Sequence, residues 1–172
     1  MNPPSFADLQ AELFVAVARH YGRLLDEHSV DQLYGYSLYT NDDVSSIGPV
    51  ANTVNGIRSI PDQKDYQYHR YGPHEWSLWD DFGLFDRANA LVRAIYADDS
   101  RTFQEKRLGM LTAAFQALSE QEGKGLFGPR TSDRYVVLWV VDSDEPLMAQ
   151  SAASLNSVEV FHGYYSAYAD EA

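Results

Sequence analysis

The spacing of apolar residues predicts that the chain opens with a long amphipathic helix. Apolar side chains recur at every fourth position and share one helical face: Leu9, Leu13, Val17 and Tyr21. Ser5 is a favourable N-cap, and Asp8 stands where the acid of a capping box belongs. We therefore expect a helix that begins after Ser5 and ends between Asp26 and His28.

A period of two follows and predicts strands. Apolar and polar positions alternate over Leu33 to Thr40, and the acidic turn after them leads to a return strand over Ser45 to Asn52. Pro49 would place this return strand at a sheet edge or a bulge. The alternation over Asp65 to Tyr71 predicts a third strand.

The second half of the chain predicts helices around one very apolar strand. The helical period returns over Phe82 to Tyr96, and Ser100 can cap the next helix, which runs to about Glu122. Tyr135 to Val141 has no polar face, which is typical of a strand buried on both sides in the middle of a sheet. One or two helices close the chain.

These elements predict an α+β fold. We expect a mostly antiparallel sheet of about four strands covered by helices, with residues 1–172 forming a single domain. A chain of 172 residues with 45% hydrophobic content is long and apolar enough to bury one sizeable core.

The acidic composition of the chain indicates which class of partner it could bind. The formal net charge is −12, from 25 acidic and 13 basic residues, and such a field repels nucleic acid while it attracts a basic protein partner. The same acidity could serve only to keep the protein soluble. No apolar run is long enough for a membrane helix, and the chain has no cysteine. We therefore expect a soluble, cytoplasmic protein of a bacterium-like cell, and the sequence does not define its oligomeric state.

Several motifs invite a chemical interpretation, but each has a better structural one. Gly123 to Gly128 matches GxGxxG, yet it follows a predicted helix and precedes a strand, the reverse of a dinucleotide-binding turn. His69, His74 and Glu75 are close in sequence, but Gly72-Pro73 separates them, so packing and surface roles are favoured over a metal site. Adjacent acids suggest turns and helix starts: Asp42-Asp43, Asp80-Asp81 and Asp98-Asp99. We expect no catalytic residues, no metal and no cofactor.

The densest aromatic region of the chain surrounds the short Gly72-Pro73 break. Tyrosine and tryptophan are typical anchors of protein interfaces and equally ordinary core residues, so both interpretations stay open. The candidate binding residues are Tyr68, Tyr71, His74, Glu75, Trp76 and Trp79.

Five segments of the chain carry a family resemblance: Leu33–Asp42, Pro49–Thr53, Tyr71–Trp76, Asp133–Val140 and Leu155–Asn156. On these residues the chain resembles domain-of-unknown-function family 4303, a mainly bacterial family. The family has no established activity, so the resemblance carries over no catalytic residues. It implies an association with the small acidic α+β proteins that act as immunity factors beside bacterial toxins.

Three functional hypotheses follow, of which the least specific is a structural or housekeeping domain with an interface for an uncharged partner. The first is a protein-binding domain without catalysis, similar to an immunity protein or antitoxin, whose basic partner would be a toxin domain. The alternative is an enzyme or small-ligand-binding protein with a pocket near Tyr71, His74, Glu75 and Trp76.

Overall fold

The structure is a computed structural model that describes residues 4–29, 32–58 and 63–168. Its helices are α1 (Phe6–Glu27), α2 (Val54–Arg58), α3 (Gln63–Tyr71), α4 (Asp86–Tyr96), α5 (Phe103–Gly123), α6 (Pro146–Leu155) and α7 (Val158–Tyr168). Its strands are β1 (Leu33–Asn41), β2 (Ile47–Thr53), β3 (Leu78–Trp79) and β4 (Tyr135–Val141), and a 3-10 turn spans Pro73–Glu75. The predicted α+β class is confirmed.

The four strands form one mixed sheet in the order β3-β2-β1-β4. The predicted hairpin is present, because β2 runs antiparallel to β1 with Pro49 opposite Leu38. The expectation of a mostly antiparallel sheet needs correction, because β4 runs parallel to β1 with Leu138 beside Leu38. A parallel pair needs a long connection, and the chain between these two strands includes β2, β3 and the helices α2 to α5.

The prediction that β4 lies in the middle of the sheet is wrong, although the strand is buried on both faces. Helix α6 covers its outer edge and supplies side chains where a further strand would supply backbone. Asn156, just after α6, accepts a hydrogen bond from the Val136 N–H at 2.8 Å and donates one to the Val136 carbonyl at 2.7 Å. Ser151 accepts from the Leu138 N–H at 2.9 Å. An apolar strand can thus be an edge strand when side chains satisfy its backbone.

Helices cover both faces of the sheet. On one face Tyr36 packs edge-on against Tyr21 of α1, with ring centroids 5.5 Å apart, and α1 itself packs on α4 and α5. On the other face Tyr135 meets Tyr71 of α3 at 5.1 Å and Tyr164 of α7 at 6.4 Å. The core is therefore rich in aromatic contacts on both sides of the strands.

The helix starts follow their capping residues. Ser5 and Asp8 form the predicted capping box of α1, and His28 is its C-cap. The cap of α5 is Thr102, which forms a box with Glu105, and not the predicted Ser100. A Ser/Thr followed three residues later by Glu is the sequence signal for this start.

The prediction of a strand over Asp65 to Tyr71 is wrong, because these residues belong to α3. Tyr71 fits against Gly163 of α7, where an added Cβ would stand 2.3 Å from the Tyr71 hydroxyl. The Tyr168 hydroxyl donates to the Tyr68 carbonyl at 2.5 Å. Seven residues are too few to separate the two periods, and packing on α7 decides the outcome.

Candidate functional site

The structure buries two of the six predicted site residues. Trp76 is 3% and Tyr71 is 6% exposed. Trp76 lies over Gly35, where a Cβ would approach the indole to 2.6 Å, and its N–H donates to the His69 carbonyl at 3.0 Å. These two aromatic side chains are therefore core residues that pack beneath the exposed candidate residues.

Three other predicted residues meet at that surface. The His74 Nε2 lies 2.7 Å from the Tyr68 hydroxyl and 3.6 Å from the Glu75 carboxylate. The other Glu75 oxygen lies 3.3 Å from the Nδ1 of His69. The carboxylate thus stands between two imidazoles, with Tyr68 and Glu75 exposed.

Trp79, the sixth predicted residue, lies at the far end of the same sheet face. It is 43% exposed and packs edge-on against Tyr39 at 5.3 Å. Tyr39 pairs with Trp139 across β1 and β4, and His74 stacks on Trp139 at 5.5 Å. We call this continuous set the aromatic row; its members are Trp79, Tyr39, Trp139, His74 and Tyr68.

Acidic groups act on the middle of the aromatic row. Burial raises the pKa of Tyr39, and the charge of Asp142 raises it further. Burial lowers the pKa of His74, against which Glu75 and Asp142 act in the opposite direction. Asp142 is exposed and has a left-handed backbone (φ 54°), a conformation that Asp tolerates better than most residues. The row therefore offers accessible ring surface at its two ends, Trp79 and Tyr68, while Trp139 between them is buried, and negative charge lies beside it.

One acid of each adjacent acidic pair has a structural role. Asp42 pairs with Arg107 at 2.7 Å, and hydrogen bonds from Arg107 and Ser143 lower its pKa. Asp80 accepts hydrogen bonds from two backbone N–H groups of the turn before α4, which begins at Asp86 and not at the predicted Phe82. Asp98 accepts from the Ser100 N–H at 3.0 Å. Within the described ranges, no three His, Asp or Glu side chains form a group that could hold a metal ion.

The GxGxxG segment also has a structural role. It ends α5 and leads toward β4, with left-handed backbone at Gly125 (φ 80°) and Gly128 (φ 74°). A helix end and loop therefore accounts for these glycines.

Comparison with protein families places the chain. A family model described as a domain of unknown function (DUF4303) matches residues 13–157. The chain belongs to the DUF4303 family. The whole aromatic row of this DUF4303 protein lies within the match, whereas α7 lies outside it. No curated protein and no solved structure matches the chain.

Sequence reasoning missed three residues of this DUF4303 surface: Tyr39, Trp139 and Asp142. Tyr39 and Trp139 stand a hundred positions apart, and only the parallel register of β1 and β4 brings them together. Asp142 follows β4 directly, so the end of the apolar run was the sequence signal that could have placed this acid at the end of the strand. Among the residues that the structure describes, no helix is long and apolar enough to cross a membrane.

Proposed function

We propose that this DUF4303 protein binds a basic segment of a protein partner on the aromatic row, as an immunity protein binds a toxin domain. The supporting observation is one surface that carries accessible aromatic rings and carboxylates together. Trp79 and Tyr68 are 43% and 40% exposed at its two ends, and Asp142 and Glu75 supply negative charge beside it.

The chemistry of the row suits arginine and lysine side chains. A guanidinium or ammonium group is attracted to the face of an aromatic ring and to a carboxylate. The protein already uses such contacts internally, because the Arg23 guanidinium lies 3.4 Å from the centroid of the Phe82 ring. Arg70 lies over the Tyr34 ring at 5.0 Å.

The two contributions would act on different steps of binding. The field of an acidic protein speeds the encounter with a basic partner, and salt screens that field over about 8 Å at physiological ionic strength. Trp79 would contribute an anchor that salt affects little, and the loss of an anchor appears in the dissociation rate.

The test uses the intact protein as bait in its native host, followed by association kinetics with the captured partner at low and high salt. We expect Trp79→Ala to speed dissociation roughly tenfold or more. Asp142→Asn should slow association at low salt and have little effect at high salt, because Asn also tolerates the left-handed backbone.

Two matched controls separate the row from the rest of the surface. Tyr165→Ala removes another exposed aromatic ring (53% exposed) that lies outside the row. Asp133→Asn removes an exposed acid at the opposite end of β4, about 25 Å away along the strand. The proposal fails if no protein is captured, if the partner is acidic, or if the control variants weaken binding as much as the row variants.

A further inference from the structure

An open cleft lies between the turn of the β1–β2 hairpin, the end of α4 and the start of α5. We call it the hairpin cleft; its volume is about 440 Å³, and its lining residues are Asp43, Ser45, Arg93, Tyr96 and Phe103. Cavities that hold small ligands in proteins span roughly 300–1,000 Å³. The aromatic row contributes none of these five residues, so the hairpin cleft is a separate site.

Hydrogen bonds fix the hairpin turn and α4 relative to each other. In the turn, the Asn41 side chain accepts from the Ser45 N–H at 2.9 Å. Asn89 of α4 accepts from the Ile47 N–H at 2.8 Å and donates to the Ile47 carbonyl at 2.9 Å, which holds the helix against β2. The walls of the hairpin cleft are therefore formed before any ligand arrives.

Two aromatic rings supply the apolar part of the hairpin cleft. Phe103, the first residue of α5, is 45% exposed, and Tyr96 at the end of α4 is half-buried. Their ring centroids lie 6.4 Å apart with planes inclined at 40°. The Lys106 ammonium donates to the Tyr96 carbonyl at 2.9 Å and so links α5 to the end of α4. Phe103 in particular offers ring surface that solvent reaches.

The hairpin cleft also carries one positive and one negative charge, and both are exposed. Among the residues that the structure describes, neither the Arg93 guanidinium nor the Asp43 carboxylate makes a hydrogen bond or an ion pair, and the two do not pair with each other. Burial raises the pKa of Tyr96, and the charge of Asp43 raises it further, so this carboxylate acts on the aromatic wall.

An arginine without an acidic partner stands out in a chain with 25 acidic and 13 basic residues. Six other arginines of the described chain pair with carboxylates: Arg23, Arg87, Arg101, Arg107, Arg130 and Arg134. Arg93 therefore keeps its donors available beside Asp43, which is itself unpaired.

The two charges together define the class of ligand. A purely anionic molecule would bring its charge next to Asp43, and a purely cationic one would bring its charge next to Arg93. A molecule with both an ammonium and a carboxylate group can place each beside its opposite charge.

We propose that the hairpin cleft binds a zwitterionic amino acid with an aromatic side chain. The ammonium group lies at Asp43, the carboxylate at Arg93, and the ring against Phe103 and Tyr96. This site does not depend on the aromatic row or on the proposed function.

The test titrates the full chain with L-phenylalanine and follows the backbone amide signals by NMR. We expect saturable shifts at millimolar concentration that centre on the residues of the hairpin cleft. Phenethylamine lacks the carboxylate and 3-phenylpropionate lacks the ammonium, so each should bind roughly threefold more weakly, as befits an exposed charge pair. L-Alanine should also bind more weakly, because it has no ring. The claim is overturned if L-phenylalanine does not bind, if the shifts lie elsewhere, or if any of these analogues binds equally well.

Charge-neutralising variants separate the two polar contacts. Arg93→Gln should weaken L-phenylalanine binding roughly threefold without weakening the binding of phenethylamine, which has no carboxylate. Asp43→Asn should weaken L-phenylalanine binding to a similar extent without weakening the binding of 3-phenylpropionate. A variant that weakened all three ligands alike would overturn the assignment of its contact.

Matched controls come from the same part of the chain. Arg87→Gln changes an exposed arginine of α4 that pairs with Glu12, and Asp99→Asn changes an exposed acid that does not line the hairpin cleft. Both should leave L-phenylalanine binding unchanged, and so should Trp79→Ala, which tests the aromatic row. Melting curves check that each variant folds. Equal losses in the controls and in the cleft variants would show that net charge governs binding and would overturn the proposal.

Discussion

The closure of the β4 edge by Asn156 can be tested by one substitution, Asn156→Ala. The side chain is 4% exposed and makes three hydrogen bonds: one from the Val136 N–H, one to the Val136 carbonyl and one to the Ala152 carbonyl at 3.0 Å. Alanine removes all three without adding bulk. The Val136 amide, at a residue only 1% exposed, then has no acceptor.

The expected loss follows from these three bonds. A buried donor without a partner costs about 1–3 kcal/mol, and each of the other two hydrogen bonds contributes about 0.5–1.5 kcal/mol. We therefore expect the free energy of unfolding to fall by about 3 kcal/mol, a large share of the 5–15 kcal/mol typical of a folded domain. For a protein of this size the melting temperature should fall by roughly 6–12 °C.

Urea denaturation of the variant and of Ser154→Ala measures this loss. Ser154 is exposed near the end of the same helix, and its hydroxyl donates to the Gln150 carbonyl at 2.8 Å, so this control should change stability by less than about 0.5 kcal/mol. Hydrogen exchange should show that the Val136 amide exchanges faster in the variant. A loss for Asn156→Ala no larger than that of the control would refute the role of the amide and leave packing of α6 as the cause of edge closure.

Two further predictions concern packing and protonation. Gly35→Ala should destabilise the protein by about 1–3 kcal/mol, since the new Cβ would lie 2.6 Å from the Trp76 ring. Gly22→Ala has open space in α1 and should stabilise the protein by up to about 1 kcal/mol. Equal melting temperatures of the two variants would contradict this contrast. Burial lowers the pKa of His20, so as the pH falls the unfolded chain binds a proton at this residue before the folded protein does. The contribution of His20 to stability is therefore complete above about pH 6.5 and is lost as the pH falls below that value. Stability should thus fall more between pH 7.5 and 5.5 in the unmodified protein than in His20→Phe, and parallel pH profiles would exclude the role of His20.

Local signals were sufficient for part of the fold. The capping box of Ser5 and Asp8 and the period of the residues after it placed α1 correctly, and the alternation over Leu33 to Thr40 placed β1. The strand prediction for Asp65 to Tyr71 was wrong, because the alternation there is short and the conformation depends on contacts with α7, which is distant in sequence. The apolar β4 was identified as a buried strand, but its edge position depends on Asn156, whose bonds leave no periodic pattern.

The candidate site likewise contains some residues that the sequence could identify and others that only the fold brings together. Tyr68, His74 and Glu75 are close in sequence and meet in space, so local clustering was enough to find them. The burial of Trp76 could not be inferred, because it depends on the fit of the indole over Gly35 in another element. Trp139 joins the row through the parallel pairing of β4 with β1. The sequence predicted a mostly antiparallel sheet, so this pairing could not be anticipated.

The closed edges of the sheet constrain how a partner could bind. Asn89 of α4 accepts from the Ile47 N–H at 2.8 Å and donates to the Ile47 carbonyl at 2.9 Å, as Asn156 does for Val136 at the other side of the sheet. The edge strand β3 spans two residues and offers little backbone for pairing. A partner strand therefore has little open backbone to extend, and recognition on the proposed surface would depend on side chains. That mode predicts binding sensitive to Trp79 and to salt, whereas strand addition would tolerate side-chain changes on the row and respond to changes in backbone hydrogen bonding.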